Sequence, residues 1–212
     1  MIYKSISTQT LQRLPMYLNY LKSLPDNQTL NISATTIAEA LKFNDVQVRK
    51  DLAMISSGGR PKIGYITKNL IFDIEKFLGY DDADSAVIAG AGDLGRTILS
   101  YDGFSKYGLD IIAAFDVRED IIGTTINGKK VLSSDKLKDL CGRMKVRIGI
   151  IAVPASEAQE ICNSMVESGI LAIWNFAPVN LNVPDNVLVQ NEDMAFSLAK
   201  LSKSLSKKLC LN

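Results

Sequence analysis

The chain has 212 residues, 47% hydrophobic and 22% charged, which suits one large or two smaller soluble globular domains with real cores. It carries no histidine, which removes the commonest general acid/base and any histidine-based metal site. The net charge of +1 is uneven: residues 1–79 hold ten Lys+Arg against six Asp+Glu, and residues 80–212 fourteen against seventeen, so the two parts are expected to have different partners.

Leu11, Leu14, Leu18, Leu21 and Leu24 recur at three- and four-residue steps over residues 8–24, the period of an amphipathic helix. Pro15 either kinks this helix or confines its regular part to the residues after the proline, and residues 23–27 read as a stop and turn. Ser33 is a plausible N-cap for a second helix running to Leu41. A short turn, Lys42–Asn44, leads into a third helix, Asp45–Ile55. Two helices joined by so short a turn make a helix-turn-helix. On the third helix Val48, Leu52 and Ile55 share one face and Gln47, Lys50 and Met54 another, with Arg49 at the boundary. Residues 56–66 form a basic, glycine-rich loop and a short β-like run, the pattern of a wing, and Leu70, Ile71, Ile74, Phe77 and Leu78 mark a closing helix. In a DNA reader of this type the third helix enters a major groove. Gln47 and Lys50 would then face base edges, Arg49 would lie near the backbone, and Arg60 and Lys62 would reach phosphate or the minor groove. Each of these side chains, taken singly, is equally compatible with a solvated surface. The acidic stretch 81–85 reads as a linker.

From Ser85 onward strands and helices alternate, as in a parallel sheet covered on both faces. Strands are expected at 86–90, 109–115, 146–153, 171–175 and 187–190, and helices at 94–101, 134–141 and 156–168, with a loop and short strand within 122–132. The stretch Val87-Ile-Ala-Gly-Ala-Gly-Asp-Leu-Gly-Arg96 is a short apolar strand, then Gly90-x-Gly92-x-x-Gly95, then a helix start. The first glycine permits a tight turn, the second lets backbone approach a pyrophosphate, and the third lets helix pack on strand. The phosphate would sit over the N–H groups of Gly90, Ala91, Gly92, Asp93, Leu94 and Gly95 at a helix N-terminus. Glycine-rich turns are common; what raises this one is its context, with Asp116 lying 21 residues after Gly95 at the end of the next strand. Asp116, followed by Val117, is placed to accept hydrogen bonds from the adenosine ribose and to repel a 2′-phosphate, favouring NAD(H); Arg118 could soften that preference.

A nicotinamide enzyme needs a substrate pocket and a proton-transfer group. The dinucleotide fold uses about residues 86–190, and one amphipathic helix comes after it, 191–205, with Met194, Leu198, Leu201 and Leu205 on its apolar face. No catalytic constellation is recognisable, so no catalytic residue and no metal ligand is assigned. The terminal helix needs its apolar face covered, and a second copy is the economical partner, because DNA readers of this type bind paired half-sites. Cys141, Cys162 and Cys210 form no CxxC pair, no export signal is legible and no apolar run is long enough to span a bilayer, so a cytoplasmic protein with reduced thiols and no membrane partner is expected.

Arg13-Leu-Pro-Met-Tyr-Leu18, Val48-Arg-Lys-Asp-Leu52, Gly64-Tyr65, Gly90-Ala-Gly-Asp-Leu-Gly95, Tyr101-Asp-Gly-Phe104, Phe115-Asp116, Ile151-Ala-Val-Pro154, Asn175-Phe-Ala-Pro-Val179 and Val183-Pro184 together carry a resemblance to the Rex family of redox-sensing transcriptional repressors. It implies a Rossmann-like α/β domain with a doubly wound parallel sheet (86–190), an N-terminal winged-helix DNA-binding domain (1–80), and a C-terminal helix (191–212) swapped between the subunits of a homodimer. It also implies binding to double-stranded operator DNA when NADH is scarce, and release when NADH rises. Val153, Pro154, Asn175, Phe176 and Ala177 would lie near the nicotinamide. Tyr101 and Asp193 would join a polar network reporting the redox state of the cofactor. Family members often carry Arg at the position of Asn19, which pairs with the equivalent of Asp193, and an aromatic residue at Met194; an Asn cannot make that charge-assisted pair. Two other readings are a DNA-binding sensor of another adenine nucleotide, such as a CoA thioester, and a small NAD-dependent oxidoreductase.

Overall fold

The first helix, α1 (Thr8–Ser23), runs through Pro15 without a break. It buries Leu14, Leu18 and Leu21 of the expected row together with Tyr17, while Leu24 is partly buried and Leu11 is exposed. A computed structural model describes residues 6–25, 30–80 and 84–209. The chain divides into two compact units, Met1–Asp82 and Ala83–Asn212. Residues 81–83 of the expected linker lie outside the described residues, as does Cys210.

In the first unit the two-residue strand β1 (Asn31–Ile32) precedes α2 (Ala34–Leu41), whose Ser33 cap accepts from the Thr36 N–H at 3.0 Å. Lys42 then turns left-handed, at φ 57°, and α3 (Asp45–Ile55) begins with the Asn44 side chain accepting from the Gln47 N–H. These caps satisfy N–H groups that a helix start leaves orphaned. The β-like run after the wing shrinks to β2 (Tyr65–Ile66), paired antiparallel with β1. The wing itself is a tight turn closed by Arg60 and Gly64, whose N–H groups each bond the other's carbonyl at 2.9 Å. A Cβ on Gly64 would lie 2.2 Å from the Ile32 carbonyl oxygen, so this turn sits directly against β1. α4 (Thr67–Leu78) closes the unit, starting three residues earlier than its leucine pattern suggests. Ile37, Val48, Leu52, Leu70 and Ile74 meet the α1 row in one core. Each such side chain contributes roughly 1.5–3 kcal/mol by leaving water.

The second unit is a seven-stranded sheet. Its strands are β3 (Asp84–Ala89), β4 (Leu109–Asp116), β5 (Thr125–Ile126), β6 (Lys129–Ser133), β7 (Ile148–Ile151), β8 (Ala172–Asn175) and β9 (Leu188–Asn191). The order is β5-β6-β4-β3-β7-β8-β9, all parallel except β5 on the edge. Without β5 this is the Rossmann order, reversing direction between β3 and β7. The expected loop and short strand at 122–132 is in fact a hairpin. It turns on Asn127 and Gly128, both at positive φ, which the right-handed twist of the strands favours.

Helix α5 (Asp93–Ser100) comes after β3, α6 (Leu137–Met144) after β6, and α7 (Ala155–Glu167) after β7. Alternate residues of β3 feed two cores: Ala86 and Ile88 meet Ile98 and Leu99 of α5, while Val87 and Ala89 meet Leu137, Cys141, Ala158 and Cys162 of α6 and α7. The sheet is therefore buried on both faces, which explains why its strands read as continuous apolar runs. α8 (Met194–Leu209) starts after β9 has taken Asn191, three residues later than the expected boundary. It is capped by the Asp193 carboxylate, which accepts from the Phe196 N–H at 2.7 Å.

Candidate functional site

The three glycines behave as their spacing requires. Gly90 has φ +95°, and a Cβ there would sit 2.4 Å from the Ala152 carbonyl oxygen, where the chains leaving β3 and β7 pass. A Cβ on Gly95 would fall 1.9 Å from the Gly90 carbonyl oxygen, so α5 can lie this close only without a side chain. Gly92 has nothing within 4 Å and faces open space. It is also the N-cap of α5 and offers no side-chain acceptor to the first turn. That leaves a cradle of backbone N–H groups suited to an anion.

A cavity of about 490 Å³ opens at this switch point. Ala89, Gly90 and Gly92 border it from β3, Phe115 to Arg118 from β4, Ser134 from the end of β6, and Ala152 to Pro154 from β7. Glu157, Glu160, Ile161 and Ser164 of α7 complete it. Ligands in open α/β sheets bind at such a crevice, beyond the carboxyl ends of the strands. Of the predicted cofactor residues the structure brings Gly90, Gly92, Asp116, Val117, Val153 and Pro154 to the cavity. Ala91 is buried beneath it, and Asp93, Leu94 and Gly95 open the helix beside it.

Asp116 is nearly buried, and its carboxylate is occupied. Oδ2 accepts from the Ala91 N–H at 2.8 Å, and Oδ1 from the Arg118 N–H at 3.0 Å; the Arg118 guanidinium adds bonds at 3.2 and 3.3 Å. Burial alone would push this carboxyl up. The bonds from Arg118 and Ala91 outweigh burial and hold it below the usual carboxylate range. The acidic residue expected to meet a ribose thus also ties down the glycine loop, a role the spacing to Gly95 did not reveal.

Asn175 is at the carboxyl end of β8, in register with Ile151 of β7, but its side chain turns inward and is fully buried. Its amide donates to the carbonyls of Ala177 and Val179 and to the Asn191 side chain, while its oxygen accepts from the Ala177 N–H. It clamps the 176–179 loop to the end of β9. The signal that could have shown this is a lone amide ending an apolar strand: buried polar groups are nearly always bonded. Ala177 is buried, and Phe176 packs on Trp174 with ring centroids 4.5 Å apart. Trp174 in turn meets Phe104, and Phe104 meets the exposed ring of Tyr101 at 5.0 Å. Trp174 Nε1 donates to Glu192, next to Asp193. Among the described residues no hydrogen bond joins Tyr101 to Asp193. Asn19 is exposed on α1.

On the first unit Gln47, Arg49, Lys50, Arg60 and Lys62 are all exposed. Arg49, Arg60 and Lys62 border one hollow with Ser33, Thr35 and Tyr65, so the start of α2, α3 and the wing share a basic surface. Lys50 lies elsewhere on α3. Arg49 pairs with Asp45 one turn before it, at 2.6 Å. Gln47 Nε2 donates to Asp51, a residue sequence reasoning passed over. Asp51 is fully buried and also takes bonds from Thr10, Arg13 and Tyr17 of α1. Among the described residues there is no group of three or more Cys, Asp or Glu side chains that could hold a metal ion, and no helix is long and apolar enough to cross a membrane.

Comparison with known proteins gives matches over both units. Residues 5–53 match the family described as "Putative DNA-binding protein N-terminus", and residues 81–179 match the CoA binding domain family. The chain is 42% identical to the redox-sensing transcriptional repressor Rex of Treponema denticola, over 94% of this chain and 95% of that protein. It is similar to the crystal structure of RSP in complex with β-NAD+ and operator DNA, with a TM-score of 0.91, 33% identity, and coverage of 98% of this chain and 96% of that one. The structure of RSP with β-NADH matches at a TM-score of 0.83 and 32% identity, over 97% of each chain.

Proposed function

Because the chain belongs to the Rex family of redox-sensing transcriptional repressors, we propose that it binds operator DNA as a homodimer when NADH is scarce and leaves it when NADH accumulates. The observation carrying this reading is the conjunction on one chain of an open glycine loop over a Rossmann crevice and a basic helix-turn-helix surface. Gly90 to Gly95 hold the pyrophosphate, and Asp116 and Val117 flank the adenosine end. Val153, Pro154 and the loop shaped by Asn175, with Phe176 and Ala177, border the nicotinamide. Gln47 and Lys50 face bases, and Arg49, Arg60 and Lys62 meet phosphate. Tyr101, Asp193 and Asn19 belong to the switch.

In this reading the cofactor is sensed, not consumed, which is supported by the likeness to redox-sensing repressors over nearly the whole chain. The protein works in the cytoplasm, where the DNA it reads and the nicotinamide pool meet. NAD+ and NADH differ in charge and shape at one ring, and they shift the dimer between states only by their difference in affinity for them. A small rotation then suffices, because half-sites are spaced by whole helical turns. The test is binding to genomic fragments selected by the protein itself, titrated separately with NADH and NAD+. NADH should release the DNA and NAD+ should not; equal behaviour of the two overturns the reading. The CoA binding domain match favours one alternative, a sensor of CoA thioesters. Release by a CoA thioester, with no response to NADH, would establish it instead.

A further inference from the structure

Two residues at the end of β4 have opposite consequences for what the adenosine end of the cavity accepts. A carboxylate there bonds the ribose 2′-hydroxyl and repels a 2′-phosphate, whereas a nearby arginine accommodates that phosphate. This chain carries both, bonded to each other. The Asp116 carboxylate takes four hydrogen bonds, two from backbone N–H groups of Ala91 and Arg118 and two from the Arg118 guanidinium. That fills its roughly four lone-pair positions. A ribose hydroxyl can donate to Asp116 only by displacing the Arg118 side chain. The exchange is open to Arg118, whose side chain is half exposed and whose guanidinium bonds are the longest of the four, at 3.2 and 3.3 Å, while the two backbone N–H groups stay on the carboxylate. The displaced guanidinium stays tethered at the cavity. It is the one cation among the described residues lining it, beside the acids Asp116, Glu157 and Glu160.

We propose that Arg118 is a specificity-determining residue of this cavity, a displaceable cation that lets it accept the 2′-phosphorylated dinucleotide NADPH as well as NADH. With NADH, Asp116 takes the ribose hydroxyls and Arg118 swings out. With NADPH, Arg118 stands between the phosphate and the carboxylate and offsets their repulsion. The inference rests on the proposed dinucleotide binding.

The test is direct calorimetric binding of NADH and NADPH to the full chain, to Arg118→Gln and to Asp116→Asn. The wild type should bind both ligands. In Arg118→Gln the ratio of the NADPH to the NADH dissociation constant should widen by about ten- to a hundredfold, the loss expected for charge-assisted bonds. In Asp116→Asn it should narrow. A ratio unmoved by Arg118→Gln, or both ligands weakening in parallel, overturns the proposal while leaving NADH sensing intact. A wild type that binds no NADH removes the dinucleotide reading itself, and this inference with it.

Discussion

Five hydrogen bonds converge on Asp51, four from α1 side chains and one from Gln47 of its own helix. Removing one partner of a buried ion pair strands the other, so Asp51→Ala should cost about 3–5 kcal/mol, seen as an early thermal transition of the first unit. The same contacts set the pH dependence. Burial alone would raise the Asp51 carboxyl, but the bonds from Arg13, Tyr17 and Gln47 hold it below its ordinary range. A carboxyl depressed in the folded state contributes fully above its unfolded value, near about 4, and loses that contribution as pH falls through the folded value. Melting curves of wild type and Asp51→Asn should lie far apart at neutral pH and converge in acid; a constant gap would contradict this. The segment Val48-Arg-Lys-Asp-Leu52 was legible as a family signature and as a charged face, but not as an anchor. Asp51 lies three residues after the fully buried Val48 and immediately precedes the fully buried Leu52, and a charge placed there has to find partners from another element.

At the scale of elements, most of the second unit was legible because each strand or helix has one strong local cause. The apolar runs gave the strands, and the glycines gave the turn into α5. What escaped depended on pairing. The Asn127-Gly128 turn is a strong hairpin signal, but its strands are only two and five residues long, too short to alternate visibly. Val146 and Val153 extend the apolar run of β7 without joining it, since only Ile148–Ile151 find partners on both sides. The α5 contact yields a sharp expectation. Gly95→Ala places a methyl group against the Gly90 carbonyl, where neither backbone can yield without reshaping the loop. It should destabilise the second unit by about 1–3 kcal/mol and weaken NADH binding in the same variant. A matched Thr97→Ala change on the exposed side of α5 provides the comparison, and equal melting temperatures would refute the packing argument.

For the whole molecule, α8 carries the quaternary argument. Met194, Leu198, Leu201 and Leu205, the row read from the sequence, are each more than half exposed, and Phe196 and Leu209 add to it. In the proposed dimer this row is covered by a second copy. Sedimentation should therefore find a dimer in the wild type and a monomer in Leu198→Asp/Leu201→Asp, whose operator binding should fall with the loss of paired half-sites. A dimeric double variant would exclude α8 from the interface. The helix was legible from its period alone, whereas what covers it is a property of two chains and lies outside any single one. The Asp51 carboxylate has a consequence of a different kind, for descent. It holds α1 to α3 and also the amide of Gln47, so under the base-facing role proposed for Gln47 a change there that alters which bases are preferred also removes one of the donors that keep a buried charge satisfied. Lineages can recruit new target genes by drift in their promoters far more readily than by drift in this helix, and regulators with diverging gene sets should keep this stretch of protein nearly fixed.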